Sequence, residues 1–90
     1  MRFEWDPDKA VINLKKHGVA FEQAATLFGD PLALTVEAPD HSEGELRFLT
    51  VGLSEDGVLL LVSHADGDGD GIRIISARKA ERHESRQYEG

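Results

Sequence analysis

The sequence predicts an α+β domain in which two N-terminal helices and one C-terminal helix accompany an antiparallel β-sheet. Two observations support this class. Apolar residues at helical spacing, with clear start and stop signals, occupy the first third of the chain, and β-type runs separated by turn residues fill most of the remainder. The predicted order, β-α-α-β-β-β-β-α, is typical of an antiparallel meander with grouped helices. The length of the chain suits one domain, which is predicted to span residues 1–90.

The first third of the chain carries the helical signals. Residues 2–5 are predicted to form a short strand. The segment Asp6-Pro7-Asp8 then marks a helix start, because an acidic N-cap is followed by proline at the first helical position and by a second acid. Gly18 is predicted to end this helix as its C-cap. A second helix is predicted over residues 21–28, where apolar side chains recur at helical spacing.

Four strands are predicted after these helices, over residues 32–36, 45–53, 58–64 and 72–75. A polar loop and an Asp-Gly hairpin turn separate the first three of them. The third strand is almost wholly apolar, which favours a central position in the sheet with both faces covered. A last helix is predicted from about Ala77 to Tyr88, with Ser76 as its N-cap.

The composition excludes several classes of protein. A formal net charge of −7 and a pI of about 4.9 argue against sequence-independent binding of nucleic acid. The absence of cysteine excludes disulfides and thiolate chemistry. The longest apolar run, residues 58–62, is too short to span a membrane, and the N-terminus lacks the apolar core of a signal peptide. We therefore expect a cytoplasmic protein that does not contact a membrane.

Positive charge is concentrated at the C-terminal end. Residues 72–90 contain five basic and three acidic residues, a net charge of +2, so the rest of the chain carries −9. With Ser76 as N-cap, Arg78 and Lys79 would lie in the first turn of the last helix, where cations are unfavourable unless an anion joins them. Together with Arg73 on the preceding strand, this arrangement predicts a phosphate site.

Neither a metal nor a cofactor is expected. The four histidines are not spaced as metal ligands, and no cysteine accompanies them. Residues 66–71, which repeat Asp-Gly three times, match the first half of an EF-hand loop in letters only. Ala77 stands where the bidentate glutamate is needed, and the flanking segments are predicted strands. We interpret these residues as a hairpin connection.

A set of side chains on the predicted strands and at the start of the predicted last helix has the chemistry needed to cleave RNA. Arg47, Arg73 and Arg78 would bind phosphate and stabilise developing negative charge. His64, at the end of the central strand, would transfer a proton as the 2′-hydroxyl attacks the adjacent phosphate. The pattern alone leaves a second interpretation open, in which the arginines are solvated strand residues and His64 is a capped strand-end histidine.

Several blocks of the sequence, in this order, resemble the BrnT toxin family. The most distinctive are Asn13-Leu14-Lys15-Lys16-His17-Gly18-Val19 and the segment from Ile72 to Ala80. The full set comprises residues 3–7, 9, 13–19, 21–24, 28–32, 40–45, 47–48, 72–80 and 86–89. The resemblance therefore covers essentially the whole chain.

The resemblance implies a RelE-like fold and a ribonuclease toxin of a type II toxin–antitoxin pair. The implied partners are an RNA substrate and a BrnA-type antitoxin whose ribbon-helix-helix part binds operator DNA, so that the toxin meets DNA only indirectly. On matching positions, the implied basic groove contains Arg47, Arg73, Arg78 and Lys79. By chemistry we assign Arg73 and Arg78 to phosphate, His64 to acid or base catalysis, and Arg47 and Lys79 to substrate binding.

Two departures from the family pattern leave a second hypothesis open. Residues 66–71 are longer and more acidic than the usual turn, and residues 81–86 contain acids where the family is often richer in arginine. Both changes reduce attraction to RNA. The leading hypothesis is a metal-independent endoribonuclease that inhibits translation. The main alternative is a catalytically weak antitoxin-binding subunit that tunes repression of its operon, and a calcium-responsive domain is the third.

Overall fold

The computed structural model describes residues 1–38 and 45–89. The predicted α+β class and order of elements are confirmed. The loop predicted over residues 37–44, with His41, falls largely outside the described residues. The elements are β1 (Phe3–Glu4), α1 (Pro7–His17), α2 (Phe21–Thr26), a 3-10 turn (Leu27–Gly29), β2 (Leu34–Glu37), β3 (Phe48–Leu53), β4 (Leu59–Asp66), β5 (Ile72–Lys79) and α3 (Arg82–Glu89).

The five strands form one sheet in the order β1-β5-β4-β3-β2. The four strands from β2 to β5 form the predicted antiparallel meander, and β4 takes the predicted central place. The N-terminal strand β1 adds to β5 in parallel, with Phe3 opposite Ile72, so the complete sheet is mixed. This pairing joins two segments that are distant in the chain, and no local sequence pattern encodes it.

The hydrophobic core lies between one face of the sheet and the two N-terminal helices. The largest side chain with no exposed surface is Phe21, which packs with Leu27 from the helices. The strands contribute alternate residues to this core, chiefly Leu60, Val62 and Ile74. We call this face of the sheet the helix face. In the described residues, no helix combines the length and apolar character needed to cross a bilayer.

A buried asparagine ties α1 to the edge of the sheet. The side chain of Asn13 donates to the backbone oxygens of Ala77 (2.8 Å) and Val19 (2.9 Å), and its Oδ1 accepts from the backbone N–H of Ala77 (3.0 Å). Because β1 pairs only with the first two residues of β5, the edge groups of Ala77 have no neighbouring strand there. The amide of Asn13 takes the place of that strand. The predicted caps of α1, Asp6 and Gly18, are confirmed.

The predicted start of the last helix is wrong. Ser76 lies within β5 opposite Ser63, and the strand continues to Lys79, opposite Leu60. The helix begins only at Arg82, so Arg78 and Lys79 are strand residues and the predicted phosphate site at a helix N-terminus does not form. Pairing with β4 outweighs the local helical preference of Ala77 to Ala80, because the ladder satisfies the backbone groups of this segment.

The last helix, α3, is attached to the sheet by polar contacts. None of its residues is buried. At its start, Glu84 accepts from the backbone N–H of Glu81 (2.7 Å), which is half of a capping box. Near its end, the Tyr88 hydroxyl donates to Asp30 (2.6 Å). The helix therefore lies on the domain without contributing to its core.

Candidate functional site

The three predicted arginines lie on one face of the sheet, opposite the helix face, and we call it the arginine face. Arg78 pairs with Leu61 and Arg73 with Ala65, whereas Leu60, Val62 and His64 point to the other side. Arg47 directly precedes Phe48, which is the cross-strand partner of His64. Alternation therefore places Arg47 on the same side as Arg73.

A β-bulge brings Arg73 and Arg78 to the same face. They are five positions apart in the sequence, an odd spacing that would put them on opposite faces of a regular strand. The pairing shifts where Ser63 faces Ser76 but His64 faces Ile74, so Ile75 is the extra residue of β5. The bulge changes the alternation once and aligns the two arginines.

One carboxylate bridges Arg47 and Arg73. Glu45 forms an ion pair with Arg73, and its Oε2 lies 3.8 Å from Nη2 of Arg47. All three side chains are about one-third exposed. The Nε of Arg47 is buried and finds no hydrogen-bond partner among residues 1–38 and 45–89. This end of the arginine face therefore combines two guanidinium groups with a single acid.

Arg78 is held by a second carboxylate. Its two terminal nitrogens donate to the two oxygens of Glu84 at 3.0 and 2.7 Å, a bidentate geometry. These hydrogen bonds raise the pKa of Arg78 and lower the pKa of Glu84. The Glu84 side chain is only 12% exposed, whereas that of Arg78 is 35% exposed. The carboxylate thus occupies the position where a phosphate would meet this guanidinium.

His64 lies on the helix face and does not meet the arginines. Its residue is 7% exposed, with the ring edge-on to Phe28 and stacked on Phe48. Its Nε2 is 2.7 Å from the hydroxyl of Thr50, which in turn contacts Thr35 at 2.7 Å. Burial lowers the pKa of His64, although the charge of Asp66 opposes this effect. A neutral, hydrogen-bonded imidazole results.

Lys79 also points away from the three arginines. It pairs with Leu60, a core residue of the helix face, and its side chain therefore leaves the sheet on that side. Its backbone oxygen accepts a hydrogen bond from Arg78 at 3.1 Å. Of the five predicted site residues, the structure thus brings three together on one face and separates His64 and Lys79 from them.

A cavity of about 350 Å³ opens on the arginine face beside Arg78. It is lined by His17, Ser63, Ser76, Arg78 and Glu84 over an apolar floor that includes Leu61. A smaller cavity of about 180 Å³ shares His17 and Ser76 with it and continues to Lys9 and Lys16 of α1. We call the two together the His17 channel. A larger cavity of about 710 Å³, beside Phe3 and Phe28, has no arginine, lysine or histidine in its lining.

Sequence reasoning missed the residues that most constrain the arginines. The carboxylates of Glu45 and Glu84 form ion pairs with guanidinium groups that we expected to be free. The spacing from Glu81 to Glu84 suits the return hydrogen bond of a capping box and offered a usable signal, once the helix start is known. No pattern signalled that His17, at the end of α1, lies near Arg78.

One cluster among the described residues has the composition of a metal site. Ligand atoms of Glu81, His83 and Glu84 lie within 4.8 Å of one another. Glu84 is already engaged by two nitrogens of Arg78 and by the backbone N–H of Glu81. Ion pairing and helix capping account for this cluster without a cation.

The chain is similar to known ribonuclease toxins. A family model described as the ribonuclease toxin BrnT of type II toxin–antitoxin systems matches residues 5–84. The crystal structure of the Brucella abortus ribonuclease toxin BrnT superimposes with a TM-score of 0.65 at 20% sequence identity, covering 91% of this chain and 99% of that one. This structural similarity shows a shared fold. Among curated protein sequences, none matches the chain.

Proposed function

Because the chain belongs to the family of BrnT ribonuclease toxins of type II toxin–antitoxin systems, we propose that it cleaves RNA without a metal, inhibits translation in the cytoplasm and is neutralised by a BrnA-type antitoxin. The domain would act as a single unit over residues 1–90. It would meet operator DNA only through the ribbon-helix-helix part of the antitoxin. The absence of a membrane-spanning helix among the described residues is compatible with this location.

The observation that carries the proposal is the alignment of three arginines on one face of the sheet. Guanidinium groups bind phosphate in a bidentate geometry and can stabilise the charge that develops on it during cleavage. In this proposal Arg73 and Arg78 contact phosphate and Arg47 supports them. The 2′-hydroxyl of the RNA supplies the nucleophile, so no metal-bound hydroxide is needed.

The predicted roles of His64 and Lys79 stay predictions. Removal of a proton by His64 would require RNA to reach a ring that is packed between Phe28 and Phe48 on the helix face. Its contacts favour a contribution to packing instead. Lys79 is exposed, and it could contact a strand of RNA that passes around the edge of β5.

A specific observation also favours the alternative function, an antitoxin-binding subunit of weak activity that tunes repression. Arg73 and Arg78 are each paired with a carboxylate, and Arg47 shares Glu45 with Arg73. The whole chain carries a net charge of −7, which disfavours a polyanion and favours a basic partner. Such a subunit would bind the antitoxin through its surface and leave cellular RNA intact.

Growth and RNA mapping after induction of the chain alone separate the two functions. We expect growth arrest and new RNA ends by primer extension, and we expect Arg73→Ala and Arg78→Ala to remove both. Arg82→Ala, which changes an exposed arginine of α3, serves as the matched control. Purified protein should cleave RNA in the presence of EDTA. Normal growth and intact RNA with soluble, folded protein would instead support the repression-tuning subunit.

A further inference from the structure

We propose that His17 is the group that accepts the 2′-hydroxyl proton, and that RNA lies in the His17 channel with its scissile phosphate on Arg78. This inference rests on the proposed ribonuclease function and assigns to it a substrate path and a base. It differs from the prediction for His64, whose ring is enclosed on the other face of the sheet.

The surface beside His17 is concave. The two cavities of the channel have His17 and Ser76 in common, so they lie side by side, one reaching Arg78 and the other reaching Lys9. The cavity at Arg78, of about 350 Å³, lies at the lower end of the range for small-ligand sites and suits one nucleotide, whereas the cavity of about 180 Å³ beyond Ser76 is smaller than that range.

Most of the charged side chains in the lining of the His17 channel are basic. The channel lining contains Lys9, Lys16 and Arg78, and its acid is Glu84. Lys9 and Lys16 are separated by seven residues and therefore lie on one side of α1, two turns apart. A positive path of this kind attracts a phosphate backbone locally, although the chain as a whole is acidic.

Arg78 and Glu84 form a bidentate pair in the lining of the channel. A carboxylate and a phosphate present two oxygens to a guanidinium in the same planar fashion, so Glu84 stands where the scissile phosphate would bind. Glu84 comes from α3, which has no buried residue and is displaced at low cost. Glu84 thus acts as an occupant that RNA must replace.

His17 is placed to act on a nucleotide held in this way. It is the last residue of α1, where the backbone N–H of Gly18 bonds to the oxygen of Leu14 at 2.9 Å and fixes the end of the helix. Its side chain is half-buried in the channel wall. Among protein side chains, imidazole is best suited to exchange protons near neutral pH.

The reaction balances without a further reagent. The 2′-oxygen forms a bond to phosphorus and passes its proton to the imidazole of His17. The bond from phosphorus to the 5′-oxygen breaks, and the departing oxygen takes a proton from solvent water. The products are a 2′,3′-cyclic phosphate and a 5′-hydroxyl, and Arg78 stabilises the negative charge on the phosphate oxygens.

The test is single-turnover cleavage of an RNA oligonucleotide by purified wild-type chain, His17→Ala, His64→Ala and the control His83→Ala, which changes a 70% exposed side chain. We expect His17→Ala to lower the rate by about 100-fold or more, and His83→Ala to leave it unchanged. Added imidazole should restore part of the activity of His17→Ala. Circular dichroism confirms that each variant is folded.

A second variant tests whether Glu84 competes with RNA for Arg78. Glu84→Gln weakens the ion pair with Arg78 and should increase the affinity for a non-cleavable 2′-deoxy oligonucleotide several-fold. Lys16→Ala should decrease the affinity for the same oligonucleotide, relative to the control Lys15→Ala. Two outcomes, each with an active wild-type chain, would overturn this inference and leave the proposed function standing. In the first, His17→Ala cleaves RNA as fast as the wild type. In the second, folded His17→Ala loses cleavage and added imidazole does not restore it. No cleavage by the wild-type chain would overturn both.

Discussion

The two faces of the sheet are stabilised by different kinds of contact. On the helix face, apolar residues of three strands meet α1 and α2, and even the polar groups of Asn13, Thr50 and His64 are buried and hydrogen-bonded. On the arginine face, the contacts are ion pairs with Glu45 and Glu84, and the covering helix buries no residue. The helix face is therefore stabilised mainly by apolar packing, while the arginine face is stabilised by ion pairs whose guanidinium groups are partly exposed.

The largest expected effect on stability is that of Asn13→Ala, on the helix face. The change leaves the backbone groups of Ala77 and the oxygen of Val19 without partners in a buried place. Since each buried unsatisfied group costs about 1–3 kcal/mol, we expect the free energy of unfolding to fall by about 3 kcal/mol in urea denaturation. Leu14→Ala, at a residue 51% exposed on the same helix, should change it by less than about 0.5 kcal/mol.

Protonation of His64 is expected to have an intermediate effect on the free energy of unfolding. Burial lowers the pKa of the folded imidazole, so the unfolded chain takes up this proton at a higher pH than the native one. The stability that neutral His64 provides is therefore complete above about pH 7 and is lost as the pH falls below the unfolded value of about 6.5.

Urea midpoints measured between pH 5 and 8 check this expectation. The decline below about pH 6.5 should be shallower in His64→Gln than in the wild type, while the exposed-site control His83→Gln should keep the wild-type slope. Identical slopes in His64→Gln and the wild type would mean that His64 is protonated equally in the folded and unfolded states. Burial on the helix face would then not affect its protonation.

The smallest effect on stability is expected on the arginine face. A double-mutant cycle of Arg78→Ala and Glu84→Ala should give a coupling energy below about 1 kcal/mol, because the Arg78 side chain is 35% exposed and water screens the pair. A coupling of several kcal/mol would show that this ion pair is structural. It would then be a poor candidate for displacement by RNA.

Local signals in the sequence predicted the elements that local chemistry determines. The N-cap at Asp6, the C-cap at Gly18 and the Asp-Gly turn before β4 formed as expected because each depends on a few neighbouring residues. The start of α3 was wrong because β5 is extended by its pairing with β4, a tertiary contact that overrides the propensity of residues 77–80.

The site was predictable in its residue types and less so in its geometry. Arg47 was found as the only lysine or arginine between Lys16 and Arg73, and Arg73 and Arg78 were found because basic residues are concentrated over residues 72–90. Their common face depends on a bulge at Ile75, and a single extra residue in a strand leaves no mark in the hydrophobic pattern. The separation of His64 from them follows from its cross-strand partner Phe48, which the sequence could not identify.

The amide of Asn13 also affects how this molecule meets its own copies. A strand edge with unpaired backbone groups recruits strands from other chains and so promotes aggregation. Along β5, where β1 stops after two pairs, the edge groups of Ala77 are instead capped from within by a side chain. Strand addition to β5 is thereby blocked at Ala77, and β1 and β2 are the outer strands of the sheet.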